Sequence, residues 1–366
     1  MRRISRAAAV ALLLIPAVCG LFPVAAAAED KPDLPKKDPW NLKMFRFEFD
    51  NDSFIGSDDA FSAGWSFQWH STLMDRWNPA YAGWIGKVPG LGDDGRGRRI
   101  VRWAYALSQL IVTPKDVSIA EPQPMDAPWA ALLGLTGTWS AYDNRRLGAI
   151  QVYLGCMGPC SQGEQVQTFI HDDLGFGEPP MGWDNQLSNK ALANLNYKYS
   201  YKLHADDLAD YVPGRFAQDF GVGGQAAAGY LTTHVAAELE YRFGWGVPMG
   251  FTKIPDPPGF GLVLDPVYVD PEQPLGGDLY RWRFYFNLVA RAMYISYLTP
   301  AEGGPTESGY NHPKLEPYPG ERVGLFGIHL TRVPFSVHVT YYRYFSGPED
   351  VASNTDWVNF SFEYRY

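Results

Sequence analysis

The chain has 366 residues and a formal net charge of −9; aromatic residues make up 15% of it (22 Tyr, 21 Phe, 12 Trp), yet mean hydropathy is only −0.23. The acidic balance argues against nucleic acid as a partner. High aromatic content without high mean hydropathy fits strands that are apolar on one face only, the pattern of a barrel in lipid with aromatic girdles at both interfaces.

Residues 1–28 open with Met1-Arg-Arg-Ile-Ser-Arg6, continue as an apolar run through Val24 and end in Ala25 to Ala28. Those are the three parts of a secretory signal, with cleavage expected before Glu29. A lipoprotein signal at Cys19 is disfavoured by Val18 and Pro16 just before it. Loss of the signal removes Arg2, Arg3 and Arg6 and no acid, so the formal charge becomes −12. Beyond it no uninterrupted apolar stretch approaches the ~20 residues of a spanning helix, which excludes an inner-membrane helix bundle.

Residues 29–39 read as a flexible lead-in to one barrel domain, 40–366. The first predicted strands, 40–52 and 60–72, enclose an acidic loop. Phe45, Phe47 and Phe49 alternate with Arg46, Glu48 and Asp50, and Phe61, Ala63, Trp65, Phe67 and Trp69 alternate with Ser62, Gly64, Ser66, Gln68 and His70. Aromatic faces opposed by charge are what a transmembrane antiparallel β-barrel with a polar lumen requires. Further strands are predicted at 100–112, 127–142, 146–157, 190–204, 213–228, 232–245, 279–297, 321–332, 334–346 and 356–366, giving the even number, twelve, of a closed all-β bacterial barrel. The last of these ends in an aromatic, Tyr366, like the terminal strands that outer-membrane barrels present for assembly.

Cys156 and Cys160, spaced Cys-Met-Gly-Pro-Cys, read as a small loop staple or as two unpaired structural thiols, with nothing nearby to support zinc. A short helix is predicted over 163–174. On its projection Val166, Phe169, Ile170 and Leu174 form an apolar sector opposite Glu164, Gln167 and His171, which places Gln167 and His171 one turn apart on one face. Strand counting sets this helix at the outer rim, on the side of the 52–62 turn. Counting also puts two long connections, 73–99 and 246–278, on the periplasmic side, where turns are usually short. The Pro- and Gly-rich runs 253–259 and 301–309 read as loops.

Three segments resemble the outer-membrane lipid A 3-O-deacylase family: Asn51-Asp52 with Asp59-Ala-Phe-Ser62-Ala-Gly64; Gln167-Thr-Phe-Ile-His171 with a following Gly and Trp183-Asp-Asn-Gln186-Leu187; and, more loosely, Arg242-Phe-Gly-Trp-Gly-Val-Pro248. The resemblance covers most of the mature chain. It implies hydrolysis of the 3-position acyloxyacyl ester of lipid A in the lipopolysaccharide of the outer leaflet, by a carboxylic ester hydrolase acting as a monomer. It assigns His171 as general base, Gln167 as an orienting residue, Ser62 as a hydrogen-bond donor to the oxyanion, and Asn51 and Asp52 as ligands of a divalent cation, Ca2+ in the family. A neutral imidazole, titrating near pH ~6.5 when unperturbed, suits proton abstraction from water. Asp and Asn oxygens are hard ligands that suit calcium. The family pattern has a Glu six residues after the His; here that position is Gly177, with Glu178 one later and Asp172 and Asp173 as substitutes. Lys115 is a candidate for substrate binding.

Without the resemblance the same residues have plainer readings: His171 as a solvated side chain, Ser62 as a lumen hydroxyl, Asp52 as a turn residue or a partner of Arg46. Two other functions compete. An outer-membrane phospholipase needs a His shortly before its nucleophilic Ser, and His70 follows Ser62. A non-catalytic barrel, a porin or structural protein, needs neither the Gln-x-x-x-His helix nor the Asn-Asp turn.

Overall fold

A computed structural model describes residues 43–366 apart from 53–62, 75, 81, 93–98, 125, 144, 176, 207–215, 249, 253, 255, 257–281, 300–303, 306–310, 313–319, 333 and 346–355. The signal and lead-in segments and Ser62 therefore lie outside the described residues.

Twelve strands close into an antiparallel barrel: β1 Met44–Asn51, β2 Ala63–His70, β3 Ile100–Val112, β4 Ala130–Tyr142, β5 Arg146–Met157, β6 Lys190–Ala205, β7 Phe216–Gly229, β8 Thr232–Trp245, β9 Arg283–Leu298, β12 Glu321–Arg332, β13 Phe335–Tyr344 and β14 Asp356–Arg365. Each pairs with its neighbour in the chain, β9 pairs with β12, and β1 pairs with β14 to close the wall. Two further pieces, β10 Gly304–Pro305 and β11 Asn311–His312, form a small ladder of their own in the β9–β12 connection, so the run 301–309 is not wholly loop. No described helix is long and apolar enough to cross a membrane.

The predicted alternation is present residue by residue. Arg46, Glu48 and Asp50 turn into the lumen and are buried, while Phe45, Phe47 and Phe49 remain partly exposed on the outer wall. Near the rim where the chain enters and leaves the barrel, the lumen is filled by charge. Arg46 donates to Glu363 at 2.6 Å and to Gln68 at 3.1 Å, and Arg365 donates to the other oxygen of Glu363 at 2.6 Å. Toward the opposite rim the lumen turns apolar, with Leu110, Leu132, Met157, Leu192, Val323 and Trp357 in one buried cluster. Arg46, Arg242, Arg291 and Arg365 can stand inside the barrel because each has an acid within reach; an unpaired buried charge costs several kcal/mol.

The two long connections are accounted for by where they pack. The described residues among 247–256 lie inward of β8, in the lumen: Arg242 donates to the carbonyl of Gly250 at 2.6 Å and to the hydroxyl of Thr252 at 3.1 Å, Asp256 accepts from Arg291 at 2.5 Å, and Ile254 joins the apolar cluster. The described residues among 71–92 instead lie on the outer wall at the same end. Trp77, Ile85 and Leu91 pack there with Val101 of β3 and Ala141 of β4. Length that would be costly as a free loop is thus used as packing surface.

Candidate functional site

At the rim opposite the chain termini, the β5–β6 connection folds back onto the outside of the barrel. It begins with a Cys156–Cys160 disulfide across a Cα–Cα distance of 6.3 Å, which decides between the two readings of that pair. A 3-10 turn, Pro159–Ser161, follows, and then helix α1, Gly163–Thr168. A methyl group at Gly163 would lie 2.1 Å from the Cβ of Ala131, so only glycine lets the helix start so close to the wall of β4. From β2 and β3 a relay of side chains reaches the same place: Trp65 donates its indole N–H to Gln109 at 2.8 Å, and Gln109 donates to the carbonyl of Ser161 at 2.7 Å.

The helix is shorter than predicted. After Thr168 the chain widens into a π-type turn, Phe169–Asp173. The groups against the wall are Gly163 and Gln167, the latter 3% exposed, whereas Phe169 and Leu174 are 53% and 50% exposed. Gln167 tolerates burial because its amide oxygen accepts the indole N–H of Trp183 at 2.8 Å. Trp183 in turn meets Trp129 edge-on, centroids 5.1 Å apart, in a cluster with Ile111 and Ala131. The Gln-x-x-x-His and Trp-x-x-Gln segments are therefore one unit joined by one hydrogen bond. The apolar sector of the projection is divided: Val166 packs against the Trp183 cluster, while Phe169 and Leu174 stay exposed. On the outer wall of a membrane barrel the far side meets lipid, so apolar exposure there carries no penalty.

His171 stands on the π-type turn, half-buried, with Nδ1 2.6 Å from the backbone carbonyl of Glu178. A carbonyl oxygen only accepts, so Nδ1 carries the hydrogen and the lone pair of the neutral ring is on Nε2. Gly177 makes this closure possible. Its φ of +109° lies in a region L side chains rarely adopt, and a Cβ there would lie 2.9 Å from the imidazole. The position where the family pattern has a Glu thus packs against the ring, and Glu178 gives the ring its main-chain carbonyl while its side chain is exposed. Asp172 and Asp173 are exposed as well.

Of the other predicted site residues, Asn51 ends β1 on the outer wall and Asp52 follows it, 4% exposed. Asn51, Ala63, Ile111 and Ala131 are successive cross-strand partners from β1 to β4, so Asn51 and the base of α1 share one row on the outer wall. Lys115 lies exposed in the β3–β4 connection at that rim. The described residues include no group of three or more His, Cys, Asp or Glu placed to hold a metal ion. The donor set still suits a hard cation, which would rest on Asp52, the Asn51 amide oxygen, main-chain carbonyls and water. Arg242, from the loosest match, is a lumen residue bonded to Asp219 and to the inserted segment. Gln109 was missed, although a glutamine amid Tyr105, Leu107 and Ile111 on a lipid-facing row is a readable break in the alternation.

Comparison with known proteins decides the family. The model of the family described as "Outer membrane protein LpxR" matches residues 11–366. The chain belongs to the LpxR family. Its barrel is similar to that of LpxR from Salmonella typhimurium, with 14% identity and a TM-score of 0.67, covering 88% of this chain and 99% of the other. The β domain of the Bordetella autotransporter BrkA (11% identity, TM-score 0.40, 89% and 98% covered) and an outer-membrane channel from Pseudomonas putida F1 (9%, 0.39, 92% and 99%) are more distant. No curated protein matches significantly. This LpxR-family chain is therefore an outer-membrane β-barrel, with the α1 rim outermost by strand counting from the N-terminus.

Proposed function

We propose that this LpxR-family barrel hydrolyses the 3-position acyloxyacyl ester of lipid A. The observation that carries the reading is the oriented imidazole of His171, its Nδ1 directed at the Glu178 carbonyl, which in the neutral ring leaves Nε2 as the basic nitrogen, on a segment stapled to the lipid-facing wall. An ester in the outer leaflet approaches that wall sideways and has no need of the lumen, which charge pairs and an apolar cluster fill. That filling also disfavours a porin. His70, the histidine nearest Ser62 in sequence, is buried on the lumen face of β2, which disfavours a phospholipase built on that pair.

In the proposed reaction Nε2 of His171 takes a proton from water as the oxygen attacks the ester carbonyl, and the Nδ1–H bond to Glu178 holds the ring and disperses its new charge. The Ser62 hydroxyl donates to the developing oxyanion. Protonated Nε2 then returns its proton to the departing alkoxide, leaving a free acyloxyacyl acid and a hydroxyl on lipid A. Asn51 and Asp52 would hold a calcium ion, which when bound would supply Lewis-acid stabilisation of negative charge. The row from Asn51 to Ala131 spans three inter-strand spacings, about 14 Å. Six α-helical residues and the first three of the π-type turn carry the chain from Gly163 to His171, up to about 12 Å, a reach that suits bringing the imidazole toward Asn51 and Asp52.

Mass spectrometry of lipid A from cells with and without the protein tests this. Loss of one acyloxyacyl unit, dependent on His171, is the expected result. Unchanged lipid A in cells with assembled wild-type barrel would overturn it.

A further inference from the structure

The outer-wall segment 71–92 lies below the same strands that carry α1. We propose that it is seated in the periplasmic leaflet, where Trp84 and Lys87 contact phospholipid headgroups, and that with α1 it pinches the lipid-facing wall of β4 and β5 to little more than half its height elsewhere. This does not rest on the deacylase reading.

The segment is built onto the wall, not draped beside it. Trp77 donates its indole N–H to the Leu91 carbonyl at 2.7 Å, Tyr197 of β6 donates to the Pro89 carbonyl at 2.9 Å, and Arg99 donates to the carbonyls of Gly90 and Gly92 at 2.6 and 2.7 Å. A Cβ at Gly148 of β5 would lie 2.2 Å from the Gly90 carbonyl oxygen, so backbone rests on backbone. Ile85 and Leu91 are buried by this packing, while Trp84 stays 55% exposed beside Trp139 of the outer wall, ring centroids 6.3 Å apart. Trp84 immediately precedes the 3-10 turn Ile85–Lys87, whose backbone closes from Lys87 N–H to the Trp84 carbonyl at 3.1 Å. Residues three apart eclipse one another in such a turn, so an indole and an ammonium project together. An exposed indole continuous with a lipid-facing aromatic, with a lysine beside it, has the composition of a membrane interface anchored on phosphate.

The geometry of the two covers sets the height of the wall between them. On β4 the outward Ala131 lies under Gly163 and the outward Ala141 is buried under the 71–92 segment, leaving the outward positions from Leu133 to Trp139. Six residues of tilted strand rise about 15 Å along the barrel axis. On β9 the outward residues from Phe284 to Tyr294 stay wholly or partly exposed. Ten residues rise about 25 Å, the full apolar band of such a barrel. Lipid against β4 and β5 therefore meets a shortened wall.

Site-directed spin labelling in proteoliposomes of phosphatidylethanolamine and phosphatidylglycerol tests the proposal. The Cys156–Cys160 disulfide leaves a single introduced cysteine as the labelled site among the described residues. A label at Trp84→Cys should collide with oxygen relative to a water-soluble nickel chelate several-fold more than a label at Ser118→Cys in the exposed β3–β4 connection. A Lys87→Cys label gives the same reading should the first variant fail to assemble, which heat-modifiable migration reports. Labels at successive outward positions should give a run of hydrocarbon readings on β4 little more than half as long as on β9. Nickel accessibility at position 84 equal to that at 118, or equal runs on the two strands, would overturn the proposal.

Discussion

Gln167→Leu tests whether the hydrogen bond between the two site segments sets the catalytic geometry. Leucine keeps most of the side-chain volume but removes the acceptor of the Trp183 indole N–H, a bond of 2.8 Å between two buried residues. Leaving a buried donor unpaired costs about 1–3 kcal/mol. Helix α1 has six residues and no side-chain cap at its N-terminus, well short of the ~12–15 residues at which a helix is even marginal alone. The loss therefore falls on docking of the segment to the wall, not on the barrel. In the limit where the undocked form comes to predominate, turnover drops by the full Boltzmann factor of that loss, about 5- to 150-fold. Its pH profile stays put, because the His171–Glu178 contact is untouched. Initial rates on purified lipid A in mixed micelles, with hydrogen exchange across 163–173, measure both effects, and Gln167→Glu, which keeps an acceptor, should retain most of the activity. Wild-type rates together with unchanged exchange in Gln167→Leu would refute the reasoning.

His171→Ala should lower lipid A deacylation by about 10²–10⁴ while heat-modifiable migration of the barrel is preserved, since the side chain contributes little to the wall. Activity should require a divalent cation, and Asp52→Ala should raise the calcium concentration needed or abolish turnover; full wild-type activity in excess chelator would remove the metal from the mechanism. Ser62→Ala should cost no more than about 10²–10³, as for a lost oxyanion donor. A fall approaching ~10⁶, or a phosphonate adduct on Ser62 seen by mass spectrometry, would instead make that serine the nucleophile.

The wall was legible because alternation is local: each residue's face follows from its neighbours two positions away, and Arg46, Glu48 and Asp50 fall where the pattern puts them. Strand count followed from the same signal, with ends displaced by a few residues, as at His70 and Ala130. What could not be read was which side of the wall a connection would occupy. The inward course of 247–256 depends on Asp256 meeting Arg291, 35 positions away, and nothing near Asp256 announces that partner. The helix begins where it was predicted and ends early, at Thr168, and its projection left open which face would meet the wall, because its environment is lipid on one side and barrel on the other. The joining of His171 to a main-chain carbonyl was equally hidden, since any residue supplies that carbonyl and the informative one is Gly177, whose absent side chain makes room.

The pairing of Arg46 with Glu363 joins the first strand to the last across 317 positions. Bringing such distant segments together costs about 5 kcal/mol of chain entropy from length alone. Before closure Arg46 has only Glu48 and Gln68 beside it, and Glu363 only Arg365 and His338. A partly wound sheet would therefore hold each charge short of its strongest partner at a free edge, where water must still reach it. Winding and closure are then coupled, so the seam works as a latch: open-edged intermediates are penalised, and the barrel becomes stable in lipid only at the step that completes it.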